Sequence, residues 1–552
     1  MKISGAAILV EELIRQGVRI IFGYPGGYVL NIYDELYKKA DVIEHILPAH
    51  EQGGAHAADA YARSSGKTGV VLATGGPGAT NLVTGIANAY LDSVPVVFIT
   101  GNVPVPMLGQ DAFQDIDIVG VTLPIVKHSY IVKDIAHLQQ IINQAFQIAA
   151  TGRKGPVHID IPKDVQQGFY DYDPNLPICD IPSTPPKLNQ LNAAIELISS
   201  SQRPYIYCGG GVASADIGGE IQSFSKQINA PIGMSMMGIG SVPASFELNL
   251  GMNGMHGRYA SNAAMSEADL IIAAGARFSD RATGNAGKYS ANTSVIHIDI
   301  DSAEIGKNIR ADAELCGDLR EIMPLLIEKL AYVPQQSRGS WINRIKTLKD
   351  EDSTRFTDKF IPKNIIHTVN KFHGENTVIT TDVGQHQMWV AGYYMFNKPR
   401  TLISSGGLGA MGYGMGAAIG ACIASGKKRT VLFTGDGSFG MNLTELATAV
   451  TYKLPITIIL LNNNALGMVR QWQTLFFENR HSNSSLERIT DFPALAAAFG
   501  ATGFLANTIL ELKTALKNVP RQGPCVIECK IGIDEMALPM IPSGGDISDM
   551  IR

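Results

Sequence analysis

Short, nearly unbroken apolar runs recur along the chain and alternate with stretches of helical spacing. Over residues 1 to about 170 the runs RIIFGYPG, GVVLATGGPG, PVVFITG and PVHIDIP are interleaved with NIYDELYKKA and LQQIINQAFQIAA. Apolar runs bounded by glycine and proline are the pattern of strands buried on both faces, so this region predicts βα units and a parallel sheet covered by helices. A second set has PYIYCGGG, ADLIIAAGARF and SVIHIDID as strands, and a third has TVITTD, RTVLFTGDG and PITIILLNNN. The Pro-rich stretch DYDPNLPICDIPSTPPKLNQ, near residues 171–190, reads as a linker, and a charged segment with Gln and Ser around residues 333–362 separates the last set. The expected architecture is α/β: three doubly wound parallel-sheet domains over residues 1–175, 190–335 and 360–552. No repeat of fixed period relates the three sets.

Length supports this division, since 552 residues exceed what one compact module holds. With 45% apolar and 17% charged residues the chain can build its own cores, and a formal charge of -5 gives no basic surface for nucleic acid or anionic membrane. Small molecules are the expected partners. No apolar run approaches the ~20 residues of a membrane helix. The N-terminal MKISGAAILVEELIRQG places acidic residues directly after a short apolar run, unlike a secretory leader, so a cytoplasmic location is expected. Six cysteines in so long a chain are no disulfide framework, and Cys525 and Cys529 fall in an apolar run reading as a strand. Buried, reduced thiols are expected.

Several glycine-rich segments could cradle phosphate. Ser65-Gly66-Lys67-Thr68 ends like a Walker loop, but the position of its first glycine is Tyr61. Gly407 to Gly412 and Gly435 to Gly440 both match G-x-G-x-x-G, and the second follows a strand and opens a helix. A nucleotide-binding fold would then need an acid ending the next strand, whereas PITIILL ends in Asn462-Asn463-Asn464. A different chemistry suits these residues. A βαβ crossover sets Asp436 and Asn463 at the ends of neighbouring strands, and with the backbone carbonyl of Ala465 they form a hard-oxygen half-shell fit for Mg²⁺. A diphosphate would complete the coordination, favoured by the helix N-terminus after Gly437 and Ser438.

A G-D-G-S box followed by paired asparagines, with 27 residues from Asp436 to Asn463, resembles the cofactor signature of thiamine diphosphate enzymes. The chain is similar to the acetohydroxyacid synthase branch along nearly its whole length, through FGYPGG, PAHEQGGAHAADAYAR, GPGATN, DAFQDIDIVG, PKDV, GMHG, GARFSDRATGN, HIDID, VGQHQMW, GGLGAMGYG, GDGSFGMN, LNNNALGMVRQWQ and LPMIPSGG. The resemblance implies the three-domain fold of thiamine diphosphate-dependent decarboxylases and carboligases. It also implies thiamine diphosphate, Mg²⁺ and FAD as cofactors, and decarboxylation of pyruvate with ligation of its two-carbon unit to pyruvate or 2-ketobutyrate, in branched-chain amino acid biosynthesis. Glu51 falls on the family's glutamate beside the aminopyrimidine; HEQGGAH lacks the i, i+4 histidine spacing of a zinc site. Met411 falls on the apolar wedge under the cofactor, and Gly409 on the glycine whose carbonyl meets the pyrimidine amine. Gln385 and His386, with Val383, Gly384, Gly437, Ser438 and Gly467, match the diphosphate side, and Pro25 matches a further cofactor contact.

Gly27, Phe113, Gln114 and Lys163 match the lining of the substrate pocket, where a lysine can hold a 2-keto acid carboxylate by charge. Met468 and Trp472 match the residues shaping the second-substrate pocket. In the middle region the resemblance implies flavin contacts by Gly209, Gly210, Gly211, Met255, Gly275, Arg277, Arg281, Asp299, Asp318 and Arg153, with no net redox work. It further implies a homodimer or homotetramer with Glu51 and Asp436 serving one site from different chains, and a small regulatory subunit as a possible partner. The chain departs from the family at Met237, where some relatives carry a polar residue, and at Gly416, where proline is usual. Two other readings remain open at this stage: a related enzyme acting on another 2-keto acid, and a catalytically silent flavoprotein.

Overall fold

The computed structural model describes residues 1–178, 188–289, 293–334 and 336–552. It contains three six-stranded sheets, each parallel throughout. The first runs, edge to edge, Glu44–Ile46, Ile20–Gly23, Gly69–Ala73, Val96–Asn102, Val157–Pro162, His128–Ile131. The second runs Asn249–Met252, Ile232–Met234, Pro204–Cys208, Leu270–Ala274, Ser294–Asp299, Ala313–Cys316, and the third Leu402–Ile403, Val378–Thr381, Thr430–Gly435, Ile456–Asn462, Cys525–Lys530, Thr502–Ala506. The apolar runs of the sequence are the inner strands. Val96–Asn102 and Ile456–Asn462 are buried at every position because helices cover both faces.

Counted in chain order within each sheet, the strands of the first and third domains share the order 2-1-3-4-6-5, whereas the middle domain has 3-2-1-4-5-6. The latter is the order of dinucleotide-binding folds. Ligands of open α/β sheets bind beyond the C-terminal strand ends where the winding reverses. In the third domain that crevice lies between Thr381 and Gly435, in the first between Gly23 and Ala73, and in the middle between Cys208 and Ala274.

One buried core joins the first and third domains, and another joins the middle and third. At the centre of the former, helix Glu51–Ser65 lies against helix Tyr413–Ala424. A side chain at Gly416, where relatives usually carry proline, would meet the carbonyl of Gly53, since even a Cβ there would come within 2.5 Å of that oxygen. The stretch at 333–362 holds a helix, Gly339–Glu351, whose Trp341 is buried in the middle domain's core and donates its indole N–H to Pro204 O at 3.0 Å. Within the linker read at 171–190, residues 179–187 lie outside the described ones. The five described cysteines are free thiols, four of them buried. No helix among the described residues is long and apolar enough to cross a membrane.

Candidate active site

In the third domain three helices, Gln385–Tyr393, Asp436–Asn442 and Gly467–Phe476, begin at the reversal crevice. Their first residues are those matched to the diphosphate side, and Gly467 lies against Gln385, where a Cβ on Gly467 would come within 2.0 Å of Gln385 Oε1. Strand register brings Gly435 opposite Leu461, which sets Asp436 beside the asparagines. Asp436 is 4% exposed, and burial pushes its carboxyl up to about 6 against the opposing pull of the backbone N–H groups of Gly437 and Asn463. Asn463 Oδ1 accepts from Ala465 N at 3.2 Å, and its amide nitrogen faces Gln385 Oε1 at 3.5 Å. One carboxylate, one amide oxygen and one nearby carbonyl make a donor set that suits Mg²⁺ rather than zinc.

Ser438 Oγ donates to Val383 O at 2.6 Å, tying two of the turns together, and Gly384 precedes the Gln385 helix as its cap. Gln385 Nε2 donates to Gln471 Oε1 and to the carbonyl of Glu535, and its Oε1 faces Gly467. His386 is buried, which pushes its imidazole down to about 3 and keeps it neutral, and its Nε2 has no hydrogen-bond partner. An orphaned buried nitrogen at a crevice of helix N-termini is the feature an anionic ligand would satisfy. Gly409 has φ +68°, a left-handed conformation that favours glycine, in an open turn near Val383. The Met411 methyl reaches within 3.8 Å of the place a Cβ on Gly437 would occupy, so the wedge position and the G-D-G-S turn adjoin.

Glu51 starts its helix beneath an N-cap from His50, whose Nδ1 accepts from Gln52 N at 3.1 Å. Asn81 Nδ2 donates to Glu51 Oε2 at 2.9 Å. Glu445 of the third domain, fully buried, accepts from the N–H groups of Ala49 at 3.2 Å and His50 at 3.0 Å, fixing the backbone that presents Glu51. Neither Asn81 nor Glu445 was singled out from the sequence, and both act across large sequence separations.

The residues matched to the substrate pocket gather on Tyr28. Lys163 Nζ lies 6.0 Å from its ring centroid, its hydroxyl donates to Phe113 O at 2.6 Å, and Gln166 donates to its carbonyl. Gln114 follows with φ +61°, Phe113 is 80% exposed, and Gly27 and Pro25 are exposed alongside. A second cluster forms where the middle domain meets the third: the Arg281 guanidinium stands 5.8 Å from the Trp472 ring centroid and donates to Met255 Sδ at 3.3 Å, with Met468 one helical turn before Trp472. No hydrogen bond among the described residues links the Tyr28 cluster to the Trp472 cluster.

The middle-domain residues matched to flavin contacts lie in several settings. Gly209 and Gly211 pack on Gly275 at its crevice, where a Cβ would come within 2.0 Å and 2.6 Å of Gly275 atoms, so backbone packing alone requires them. Gly210 faces Met237 more loosely. Burial pushes Asp299, at a strand end, up to about 6, and its carboxylate accepts from Asp301 N. Asp318 caps helix Leu319–Leu330 and pairs with Arg320, which holds its carboxyl below the usual range. Arg153 is paired with Glu304 at 2.6 Å and Asp301 at 3.4 Å, and Arg277 accepts through its carbonyl from Asn308. Strand order, the Gly209/Gly275 crevice and the strand-end Asp299 fit a dinucleotide; Asp318 and Arg153 are occupied by protein partners.

Comparison with known proteins bears on this geometry. Residues 3–121 match the thiamine pyrophosphate enzyme N-terminal TPP binding domain, 191–326 the central domain, and 382–529 the C-terminal TPP binding domain. The chain therefore belongs to the thiamine pyrophosphate enzymes, and Glu51 and Asp436 fall within its N-terminal and C-terminal TPP binding domains. It is 43% identical to the acetolactate synthase large subunit of Buchnera aphidicola subsp. Acyrthosiphon pisum, over 99% of this chain and 98% of that one. It is 43% identical to the probable acetolactate synthase large subunit of Methanocaldococcus jannaschii, over 100% and 95% of the two chains, and 40% identical to the acetolactate synthase isozyme 3 large subunit of Escherichia coli, over 99% and 98%. Within the thiamine pyrophosphate enzymes, the chain belongs to the acetolactate synthase large-subunit family.

Proposed function

We propose that this protein is the catalytic subunit of an acetolactate synthase, which decarboxylates pyruvate and joins the remaining two-carbon unit to a second 2-keto acid, pyruvate or 2-ketobutyrate. The observation that carries this reading is identity of 40–43% over essentially full length to acetolactate synthase large subunits, in a chain that keeps Glu51, Asp436 and Asn463 together. The fold does not require that trio, which argues against a silent flavoprotein. When bound, thiamine diphosphate supplies the carbon nucleophile that the protein's own side chains lack.

The chain's part is to bind, orient and move protons. Asn81 occupies Glu51 Oε2, so a proton that Glu51 holds or passes resides on Oε1. Asp436, Asn463 and the Ala465 carbonyl would hold Mg²⁺, and neutral His386 with the helix N-termini would hold the diphosphate. Met411 and Gly409 would shape the pyrimidine side. Lys163 beside Tyr28 would attract the 2-keto acid carboxylate, and Trp472 with Met468 would bound the acceptor. FAD in the middle domain is supported by its strand order. A homo-oligomeric site shared between chains is supported by the exposed Phe113, and a small regulatory subunit by kinship with proteins named large subunits.

Glu51→Gln tests the central assignment. Acetolactate formation from pyruvate should fall by about 10²-fold or more with the thermal midpoint unchanged. Undiminished turnover in that variant would remove Glu51 from the chemistry.

A further inference from the structure

Segment 404–412, which carries Gly409 and Met411, has no helix or strand of its own between Leu402–Ile403 and Tyr413–Ala424. Its conformation must come from side chains that meet its backbone. Within the third domain Asp382 accepts from Gly412 N at 2.8 Å. The other end is held from the first domain. Asp92 Oδ2 accepts from Gly406 N at 3.1 Å and Asp92 Oδ1 from Gly407 N at 2.7 Å. Asn88, one turn earlier, accepts from Ser405 Oγ, which in turn accepts from Ala410 N at 2.9 Å.

Asp92 is poorly placed for its own helix. It caps the C-terminus of Val83–Leu91, where the helix dipole disfavours negative charge. Its side chain is fully buried, and among the described residues its charge is met by Arg63, whose Nη2 donates to it at 2.9 Å, and by the two glycine amides. Arg63 is anchored on Asp59, to which Tyr413 also donates at 2.6 Å. A Cβ on Gly407 would stand 2.8 Å from Asp92 Oδ1, so the approach depends on glycine there.

We propose that Asp92 is a positioning residue: from the first domain it fixes the Gly406–Gly407 backbone and thereby sets Gly409 and Met411 in the orientation that receives the cofactor's pyrimidine. This rests on the reading of Gly409 and Met411 given above. Asp92→Asn turns an amide N–H₂ donor toward a glycine N–H or Arg63, both donors themselves, and Gly407→Ala pushes the backbone off the carboxylate while leaving the Asp59–Arg63–Asp92 charges intact.

The test is calorimetric titration of each purified variant with thiamine diphosphate in MgCl2, alongside the thermal midpoint of the cofactor-free protein and hydrogen exchange over 404–412. Both variants should bind the cofactor about tenfold more weakly, the size expected for losing a hydrogen bond to a charged group. Exchange should rise in that segment, and the cofactor-free midpoint of Gly407→Ala should stay within about 2 °C of the parent. Cofactor binding within twofold of the parent, or a lowered midpoint with unchanged binding, overturns the proposal. If Asp92→Asn does not fold, Gly407→Ala decides alone. Met411→Ala in parallel separates the two layers. Parent-like binding there overturns the assignment of the loop to the cofactor and the proposal with it, whereas weakened binding there with silent Asp92 and Gly407 variants overturns the positioning role alone.

Discussion

Asp160 lies in strand Val157–Pro162, three residues before Lys163, with Thr100 donating to Oδ1 and Asn102 to Oδ2, both at 2.6 Å. Burial pushes its carboxyl up to about 6 despite these donors, and the negative charges of Asp115 and Asp117 act in the same direction. A carboxyl whose folded pKa is raised above the unfolded value near 3.8 stabilises the fold fully below that value. The contribution is lost as pH rises through about 6 and amounts to about 3 kcal/mol. Asp160→Asn should therefore diverge from the parent across that window, the parent losing stability between about pH 4 and about pH 6 relative to the variant, with the full gap open above about pH 6. Urea melts at several pH values check this, and parallel curves for the two proteins would contradict the assignment of the buried charge to Asp160. The residues legible in the sequence are those whose meaning lies in local order, such as Glu51, Asp436 and Asn463. Asp160, Glu445 and Asp92 were not legible, because each works through partners brought up by the fold and carries no motif of its own, and Asn81, though it closes the GPGATN motif, was not legible as the partner of Glu51.

Helix Glu51–Ser65 and helix Tyr413–Ala424 are rich in small residues where they meet, and a Cβ on Gly420 would lie 1.9 Å from Ala57 O. Backbones this close leave no room for a side chain, so Gly420→Leu should destabilise the protein by about 3 kcal/mol, near the upper end for overpacking. Gly392, in helix Gln385–Tyr393, has nothing within 4 Å of its missing Cβ, and Gly392→Ala should be neutral or stabilising by up to about 1 kcal/mol. Chemical denaturation of the two variants provides the comparison, and equal effects would mean that the helix pair is not the tight contact described. Elements were legible where apolar runs were long: Val96–Asn102, Thr430–Gly435 and Ile456–Asn462 lie where the pattern puts them. The short edge strands Glu44–Ile46 and Leu402–Ile403 were missed because so few residues carry no period. Helix Gly339–Glu351 was read as part of a separator because most of its surface is polar and only a narrow face, with Trp341, Ile345 and Leu348, is buried.

At the scale of the whole chain, the third domain is the hub, sharing one core with the first domain and another with the middle one. The domain class was legible from alternation, but strand order was not, since periodicity says nothing of which strand lies beside which. The order separates a pair of like-wound domains, both matched to TPP binding, from a middle domain wound like a dinucleotide fold. The measurement that bears most directly on the account is product formation from pyruvate by the purified protein with thiamine diphosphate and Mg²⁺, with and without FAD. The account predicts 2-acetolactate, dependent on thiamine diphosphate and raised by FAD. Acetolactate formed equally well by flavin-stripped protein would contradict the middle-domain assignment, and no acetolactate under any of these conditions would contradict the synthase reading itself.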